Sequence, residues 1–188
     1  MSDFEGLIFD CDGTLVDTMP VHYEAWTATL DPFGIPFPED RFYALGGVPP
    51  DRIIAMLAEE FGVELDVPAV THQKEQDFHN RLDALRTIDP VVEIARAHRG
   101  CLPMAVATGS PDWSARRMLE RVGLIEWFGA VVSSEAVTHP KPAPDVYLEA
   151  ARRIGVDPGR CCAYEDTDMG IASAKEAGME VIDIRTML

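Results

Sequence analysis

The chain has 188 residues, of which 47% are hydrophobic and 26% are charged, and its formal net charge is −16. This composition is typical of a globular protein with a sizeable core, and the length suits one domain or one core with a smaller inserted domain. The negative charge disfavours binding to nucleic acid or to an anionic membrane surface, and no apolar run is long enough to span a bilayer.

Five short apolar segments predict buried strands. In chain order they are GLIFD, LPMAVATGS, FGAVVSSE, CCAYED and EVIDI. Helix-like segments follow the second, third and fourth of them: PDWSARRMLERVG, PAPDVYLEAARRIG and DTDMGIASAKEAG. Each of these ends at a glycine, which is a common helix stop. The alternation predicts an α/β fold, with a Rossmann-like parallel sheet and helices on both faces.

The interval after the first strand has a different pattern. It contains no clear strand and three helical segments: PVHYEAWTATLDPFG, PPDRIIAMLAEEFG and VPAVTHQKEQDFHNRLDAL. A helical block inserted into an α/β pattern predicts a second, small domain. We therefore predict an α/β core over residues 1–17 and 86–188, and an inserted helical cap domain over residues 18–85.

The N-terminus and the cysteines indicate the compartment. The segment MSDFEG is acidic and lacks the basic region of a signal peptide. The four cysteines form no C-x-x-C pair and mostly lie beside apolar runs, as reduced thiols in a cytoplasm do. We expect a cytoplasmic protein that is a monomer or a weak homo-oligomer.

Polar side chains follow four of the predicted strands. Because ligands of an open parallel sheet bind at the carboxyl ends of its strands, we expect these side chains to meet at one edge. They are Asp10, Asp12, Thr108, Ser110, Lys141, Glu165 and Asp166, together with the backbone amide of Gly109.

This set of residue types favours phosphoryl transfer. Clustered carboxylates with room for water suit Mg²⁺, and Lys141 adds a second positive charge. The hydroxyls and the amide of Thr108–Ser110 can donate hydrogen bonds to phosphate oxygens. Asp10 can attack phosphorus to form an aspartyl-phosphate, and Asp12 can protonate the leaving oxygen and later deprotonate water.

Four motifs resemble those of the haloacid dehalogenase superfamily. DCDGTLVDT is similar to its D-x-D-G-T-[LV]-x-D-[ST] signature, and VATGS, KPAPDVY and YEDTDMGIASAKEAGM resemble its second, third and fourth motifs, in order. The resemblance covers essentially the whole chain. It is strongest to the subgroup of small sugar-phosphate phosphatases and beta-phosphoglucomutase.

The resemblance implies a role for each matching residue. Asp10 would be the nucleophile and a Mg²⁺ ligand, and Asp12 the general acid and base and a ligand through its backbone carbonyl. Asp166 would bind the metal, with Glu165 beside it. Thr108 and Ser110 would hold the phosphate, which Lys141 would neutralise. N-capping of the next helix is a second interpretation of the two hydroxyl residues.

The cap residues carry a weaker signal. Thr18, His22 and Trp26 match positions that line the cap side of the mutase's cleft, although packing explains His22 and Trp26 equally well. The segment LGGVPPDR resembles a mutase loop whose arginine grips a second phosphate. Here Pro50 takes the equivalent place and Arg52 follows two residues later, so Arg52 is a candidate substrate contact or a solvated side chain.

The sequence therefore predicts a Mg²⁺-dependent phosphatase of small phosphorylated sugars or sugar acids, such as fructose 1-phosphate or 6-phosphogluconate. We expect the cap to close over the sugar during turnover. The alternative is beta-phosphoglucomutase, which needs a firm hold on a bisphosphate. A weaker alternative is a non-catalytic module that binds a phosphorylated metabolite.

Overall fold

A computed structural model describes residues 4–45 and 48–188. The strands of this part of the chain are β1 (Gly6–Phe9), β2 (Val16–Asp17), β3 (Arg86–Thr87), β4 (Met104–Ala107), β5 (Ala130–Val132), β6 (Cys161–Glu165) and β7 (Glu180–Asp183). Its α-helices are α1 (Met19–Leu30), α2 (Glu39–Ala44), α3 (Pro50–Phe61), α4 (Val67–His79), α5 (Asp89–His98), α6 (Asp112–Arg121), α7 (Asp145–Ile154) and α8 (Asp168–Glu176). None of the described helices combines the length and the apolar character that crossing a membrane requires.

Five strands form one parallel sheet in the order β5-β4-β1-β6-β7. The first strand lies at its centre, with Leu7 opposite Met104 on one side and Cys162 on the other. The five predicted strand segments contain these strands. Several predicted segments run on into the loops, where the predicted site residues lie.

The central strands are buried on both faces, and apart from Glu165 at the end of β6 they carry no charged residue. On one face Ile8 joins a core cluster that includes Tyr147 of α7 and Ala174 of α8. Phe9 stacks on Tyr164, with ring centroids 4.8 Å apart. The predicted fold, a Rossmann-like parallel sheet with helices on both faces, is confirmed.

A two-stranded antiparallel ribbon was not predicted. It pairs β2 with β3, with Val16 opposite Thr87 and Asp17 opposite Arg86. Strands of two residues carry no periodic pattern, so the sequence gives no sign of them. Helices α2 and α5 were also not among the predicted segments.

The chain divides into two compact units, which we call the core unit and the helical unit. The core unit comprises the described residues up to Asp17 together with Leu85–Leu188, and the helical unit comprises Thr18–Ala84. The helical unit has its own core, in which Trp26 packs edge-on against Phe37 and the side chains of Ile54 and Leu57 are fully buried. Its function as a cap stays a prediction.

Candidate active site

The loop after β1 places two carboxylates at the edge of the sheet. The amide of Asp10 donates to the carbonyl of Tyr164 at 3.0 Å, which continues the pairing with β6 by one residue. The loop then turns at Gly13, whose φ of +80° suits glycine. A Cβ at Gly13 would lie 2.4 Å from Oδ2 of Asp166, so this glycine also lets the two loops approach each other. Thr14 fastens the same contact, donating from its hydroxyl to Oδ1 of Asp166 at 2.8 Å.

Lys141 joins two of the acids. Its Nζ donates to Oδ1 of Asp10 at 2.7 Å and to Oε1 of Glu165 at 2.6 Å. Burial alone would lower the pKa of Lys141, but the two carboxylates raise it above its usual value, so the ammonium stays charged. The side chain also passes over the ring of Tyr147, 5.1 Å from its centroid.

Glu165 is completely buried, and both of its carboxylate oxygens accept hydrogen bonds. Oε1 accepts from Lys141 and, at 3.3 Å, from the hydroxyl of Tyr147. Oε2 accepts from the amides of Asp166 and Thr167, both at 2.8 Å, and from the Thr167 hydroxyl at 3.0 Å. The geometry makes Glu165 an anchor for Lys141 and for the start of α8. Its predicted place in a metal shell stays a prediction.

The acids of this site outnumber its lysine. One oxygen each of Asp10, Glu165 and Asp166 lies within 4.8 Å of the other two. Burial raises the pKa of Asp10 well above its usual value; Lys141 opposes this shift, and the neighbouring carboxylates add to it. Burial also raises the pKa of Asp166 to about 6. Buried carboxylates with too little positive charge favour a bound cation, and oxygen ligands suit Mg²⁺.

The residues after β4 lie beside Asp12. Thr108 is buried, and its amide donates to the carbonyl of Val132 at 2.9 Å. The hydroxyl of Ser110 donates to Oδ2 of Asp12 at 2.9 Å, and that of Thr108 lies 3.5 Å from the same oxygen. The N-capping interpretation is wrong, because α6 begins after Pro111 and has no side-chain cap. Gly109, which lies between Thr108 and Ser110 in this loop, is exposed.

Within the helical unit, two of the predicted substrate residues lie in one cluster. Nζ of Lys74 is 3.1 Å from Nδ1 of His22 and 5.5 Å from the ring centroid of Trp26. His22 stacks on Phe78, with centroids 3.8 Å apart. Thr18 is buried just before α1, whereas Arg52 is exposed in the first turn of α3.

Several residues that contact the predicted site residues were not themselves predicted. Lys74 lies in the polar segment HQKEQDFH, where a single lysine gives no sign that it is buried. Thr14 and Tyr147 belong to the quoted motifs but were assigned no role. In the loop compared with that of the mutase, positions 46 and 47 lie outside the described residues.

Comparison with known proteins identifies the family. The model of the haloacid dehalogenase-like hydrolases matches residues 4–178. The chain belongs to this family. The prediction of an enzyme of the hydrolase class is thereby confirmed.

The relatives of this haloacid dehalogenase-like hydrolase include phosphatases and a mutase. The chain is 39% identical to the fructose-1-phosphate phosphatase YqaB of Escherichia coli over 98% of both chains. It is 28% identical to the beta-phosphoglucomutase of Bacillus subtilis over 96% of this chain and 83% of the mutase. A hydrolase of this family from Deinococcus radiodurans, crystallised with bound phosphate and sodium, superimposes with a TM-score of 0.79 and 26% identity, over 96% of this chain and 80% of that one.

Proposed function

We propose that this hydrolase is a Mg²⁺-dependent phosphatase of small phosphorylated sugars or sugar acids, acting through an aspartyl-phosphate on Asp10. The observation that carries the proposal is the arrangement of Asp10, Lys141 and Asp166 at one sheet edge. There the carboxylate of Asp10, the proposed nucleophile, lies beside the ammonium of Lys141. Asp10 also belongs to an acidic cluster that suits a metal ion. Phosphoryl transfer needs such positioning and charge stabilisation more than it needs covalent chemistry.

Mg²⁺, held by Asp10 and Asp166 with the backbone carbonyl of Asp12, would supply positive charge for the phosphate oxygens. Glu165 would support this set chiefly by holding Lys141. Nζ of Lys141 lies 2.7 Å from Oδ1 of Asp10. It would neutralise the negative charge of a phosphate oxygen that does not contact the metal ion.

Two steps follow from the acid pair. In the first, an oxygen of Asp10 bonds to phosphorus, the bond from phosphorus to the sugar oxygen breaks, and Asp12 gives its proton to that oxygen. In the second, Asp12 takes a proton from water as the water oxygen bonds to phosphorus. The bond between phosphorus and Asp10 then breaks, which releases phosphate and restores both carboxyl groups.

We extend the proposal to sugar recognition by the helical unit. His22 is the partly exposed member of its cluster, whereas Trp26 and Lys74 are buried and Nζ of Lys74 also donates to Oε1 of Glu75 at 2.9 Å, so Trp26 and Lys74 would act chiefly by holding the His22 imidazole toward a sugar. Thr18 stays a further candidate contact, and Arg52 is a weaker one because it is exposed on α3. The name of one relative, the fructose-1-phosphate phosphatase of Escherichia coli, supports fructose 1-phosphate as the first substrate to test.

The decisive experiment screens phosphorylated metabolites with Mg²⁺ and measures the phosphate released. We expect Asp10→Asn to abolish release while the variant keeps the circular dichroism spectrum of the unmodified protein. Asp31→Asn, at an exposed position of the helical unit, is the matched control and should retain activity. Hydrolysis by Asp10→Asn, once deamidation back to aspartate is excluded by mass spectrometry, would refute the nucleophile.

The mutase is the second candidate, because a beta-phosphoglucomutase is among the relatives. Against it, Pro50 begins α3 where the mutase would need an arginine. An assay with beta-glucose 1-phosphate and a bisphosphate primer separates the two activities. Formation of glucose 6-phosphate faster than phosphate release would favour the mutase, and binding without any turnover would favour a non-catalytic module.

A further inference from the structure

Two hydroxyl groups converge on a single oxygen of Asp12. Ser110 donates to Oδ2 at 2.9 Å, and the Thr108 hydroxyl is 3.5 Å from the same atom. Both hydroxyls come from the loop after β4, whereas Asp12 lies in the loop after β1. The contact therefore joins the two loops through the side chain that the proposed mechanism uses for proton transfer.

The loop that carries Ser110 is itself held in place. The amide of Ser110 donates to the hydroxyl oxygen of Thr108 at 3.0 Å, and Thr108 is buried. The carbonyl of Ser110 accepts from the amide of Ser134 at 3.4 Å and from its hydroxyl at 3.5 Å. Because the main chain is fixed on both sides, the Ser110 hydroxyl reaches Asp12 from a defined position.

We propose that Ser110, supported by Thr108, is a positioning residue that orients the carboxyl group of Asp12 for proton transfer. This role rests on the proposed phosphatase function and differs from holding the phosphate, which the sequence motif implied. A carboxyl group turns about one bond, and proton transfer works only when its oxygen is within hydrogen-bond reach of the reacting atom. A hydroxyl bonded to Oδ2 fixes that rotation before substrate arrives.

The two roles considered for Ser110 are to orient Asp12 and to hold the phosphate. They predict that the loss of activity depends differently on the leaving group. When the bond from phosphorus to a sugar oxygen breaks, the electron pair stays on an alkoxide oxygen, which needs the proton of Asp12. A p-nitrophenolate is stable without a proton. Disorientation of Asp12 should therefore slow the release of a sugar far more than the release of p-nitrophenolate. Loss of a phosphate contact should slow both substrates equally.

The experiment compares kcat/KM of Ser110→Ala on fructose 1-phosphate and on p-nitrophenyl phosphate, because this ratio reports the steps up to release of the leaving group. General acid catalysis contributes about 100-fold to 10,000-fold, and misorientation should forfeit part of it. We expect a loss of about 10-fold to 100-fold for the sugar phosphate and of less than about 3-fold for the aryl phosphate. The inhibition constant of inorganic phosphate should not change.

A double-mutant cycle adds an independent measure. In the Asp12→Asn variant, the further change Ser110→Ala should not lower kcat/KM on the sugar phosphate any further, because the effect of Ser110 acts through Asp12. The matched control is Ser114→Ala, a buried hydroxyl one turn further along on α6, which should leave both rates unchanged. The thermal midpoints of all variants confirm that they are folded.

Four results would count against the role. Equal loss of kcat/KM on the two substrates would show that Ser110 holds phosphate, and so would a higher inhibition constant for inorganic phosphate. Additive losses in the double mutant would show that Ser110 does not act through Asp12. If the unmodified chain hydrolysed neither ester, the proposed function would fail and this role would fail with it.

Discussion

At the scale of single residues, Gly170 leaves the space that the carboxylate of Glu165 occupies. A Cβ at position 170 would be 1.6 Å from Oε1 of Glu165, so any larger residue would force that carboxylate to move. The same oxygen accepts the hydrogen bond of Lys141. The absence of a side chain in the first turn of α8 therefore sets the position of the lysine beside Asp10.

We predict that Gly170→Ala displaces the carboxylate of Glu165 and with it Lys141. Overpacking of this kind costs about 1–3 kcal/mol of stability. We expect a fall in kcat on a phosphate ester that is larger than the stability loss explains, since the variant stays folded at the assay temperature. Urea unfolding and initial rates measure the two effects.

Gly129→Ala is the matched control, because a Cβ there meets its nearest atoms at ordinary contact distances of 3.7 and 3.9 Å. It should leave the rate unchanged. Full activity of Gly170→Ala would mean that the position of Glu165 is not needed for turnover.

At the scale of helices, α1 and α4 are joined through partly buried polar and aromatic side chains. The hydroxyl of Thr29 donates to Oδ2 of Asp77 at 3.0 Å, and His22 stacks on Phe78. Burial lowers the pKa of His22 well below its usual value of 6.5, and the neighbouring Lys74 and His79 lower it further. The folded protein therefore holds this imidazole in its neutral form.

A pH dependence of stability follows from His22. Below pH 6.5 the unfolded chain binds a proton at His22 that the folded chain does not, so the contribution of His22 to the free energy of unfolding should fall as the pH falls, by up to about 1.4 kcal/mol per unit. The raised pKa values of Asp10 and Asp166 contribute with the opposite sign in both proteins, so we predict that His22→Gln differs from the unmodified protein by this His22 contribution between about pH 5 and pH 6.5. Urea unfolding across that range measures it.

His72→Gln, at an exposed position of α4, is the control and should keep the slope of the unmodified protein. If His22→Gln and the unmodified protein gave parallel curves, His22 would not be held neutral by its surroundings.

Sequence patterns predicted the larger elements and not the contacts among them. In segments such as GLIFD and CCAYED the residues before the acidic end are almost all apolar, which is typical of a strand covered on both faces. The β2–β3 ribbon is too short to carry a pattern. Likewise, the motif VATGS indicated hydroxyls near phosphate, but their contact with Asp12 depends on how two loops meet in space.

At the scale of the whole molecule, the net charge of −16 opposes compaction. Sodium chloride at moderate concentration should screen this repulsion. It also weakens the exposed ion pairs, but each of these contributes little to stability. We predict that the thermal midpoint rises by about 2–4 °C between low salt and about 0.15 M, which corresponds to roughly 1 kcal/mol for a chain of this size.

Choline chloride in place of sodium chloride controls for binding of sodium at a specific site. The variant Glu64→Lys, at an exposed position of a loop, should raise the midpoint at low salt and should reduce its dependence on salt. A midpoint that is constant or falls with added salt would show that repulsion does not limit stability.

The central position of β1 has a consequence for how the protein is made. Of the five strands of the sheet, β1 is translated before the others, yet it pairs on both sides with strands that are translated much later, β4 and β6. Until β4 and β6 emerge, the apolar segment of residues 6–9 has no partner strand. The unpaired N–H and C=O groups on both of its sides can then pair with other chains. We therefore expect nascent chains that stop before residue 161 to depend on chaperones. We also expect a C-terminal truncation that removes β6 to lower solubility strongly, because β6 pairs with β1 although the two strands lie far apart in the sequence.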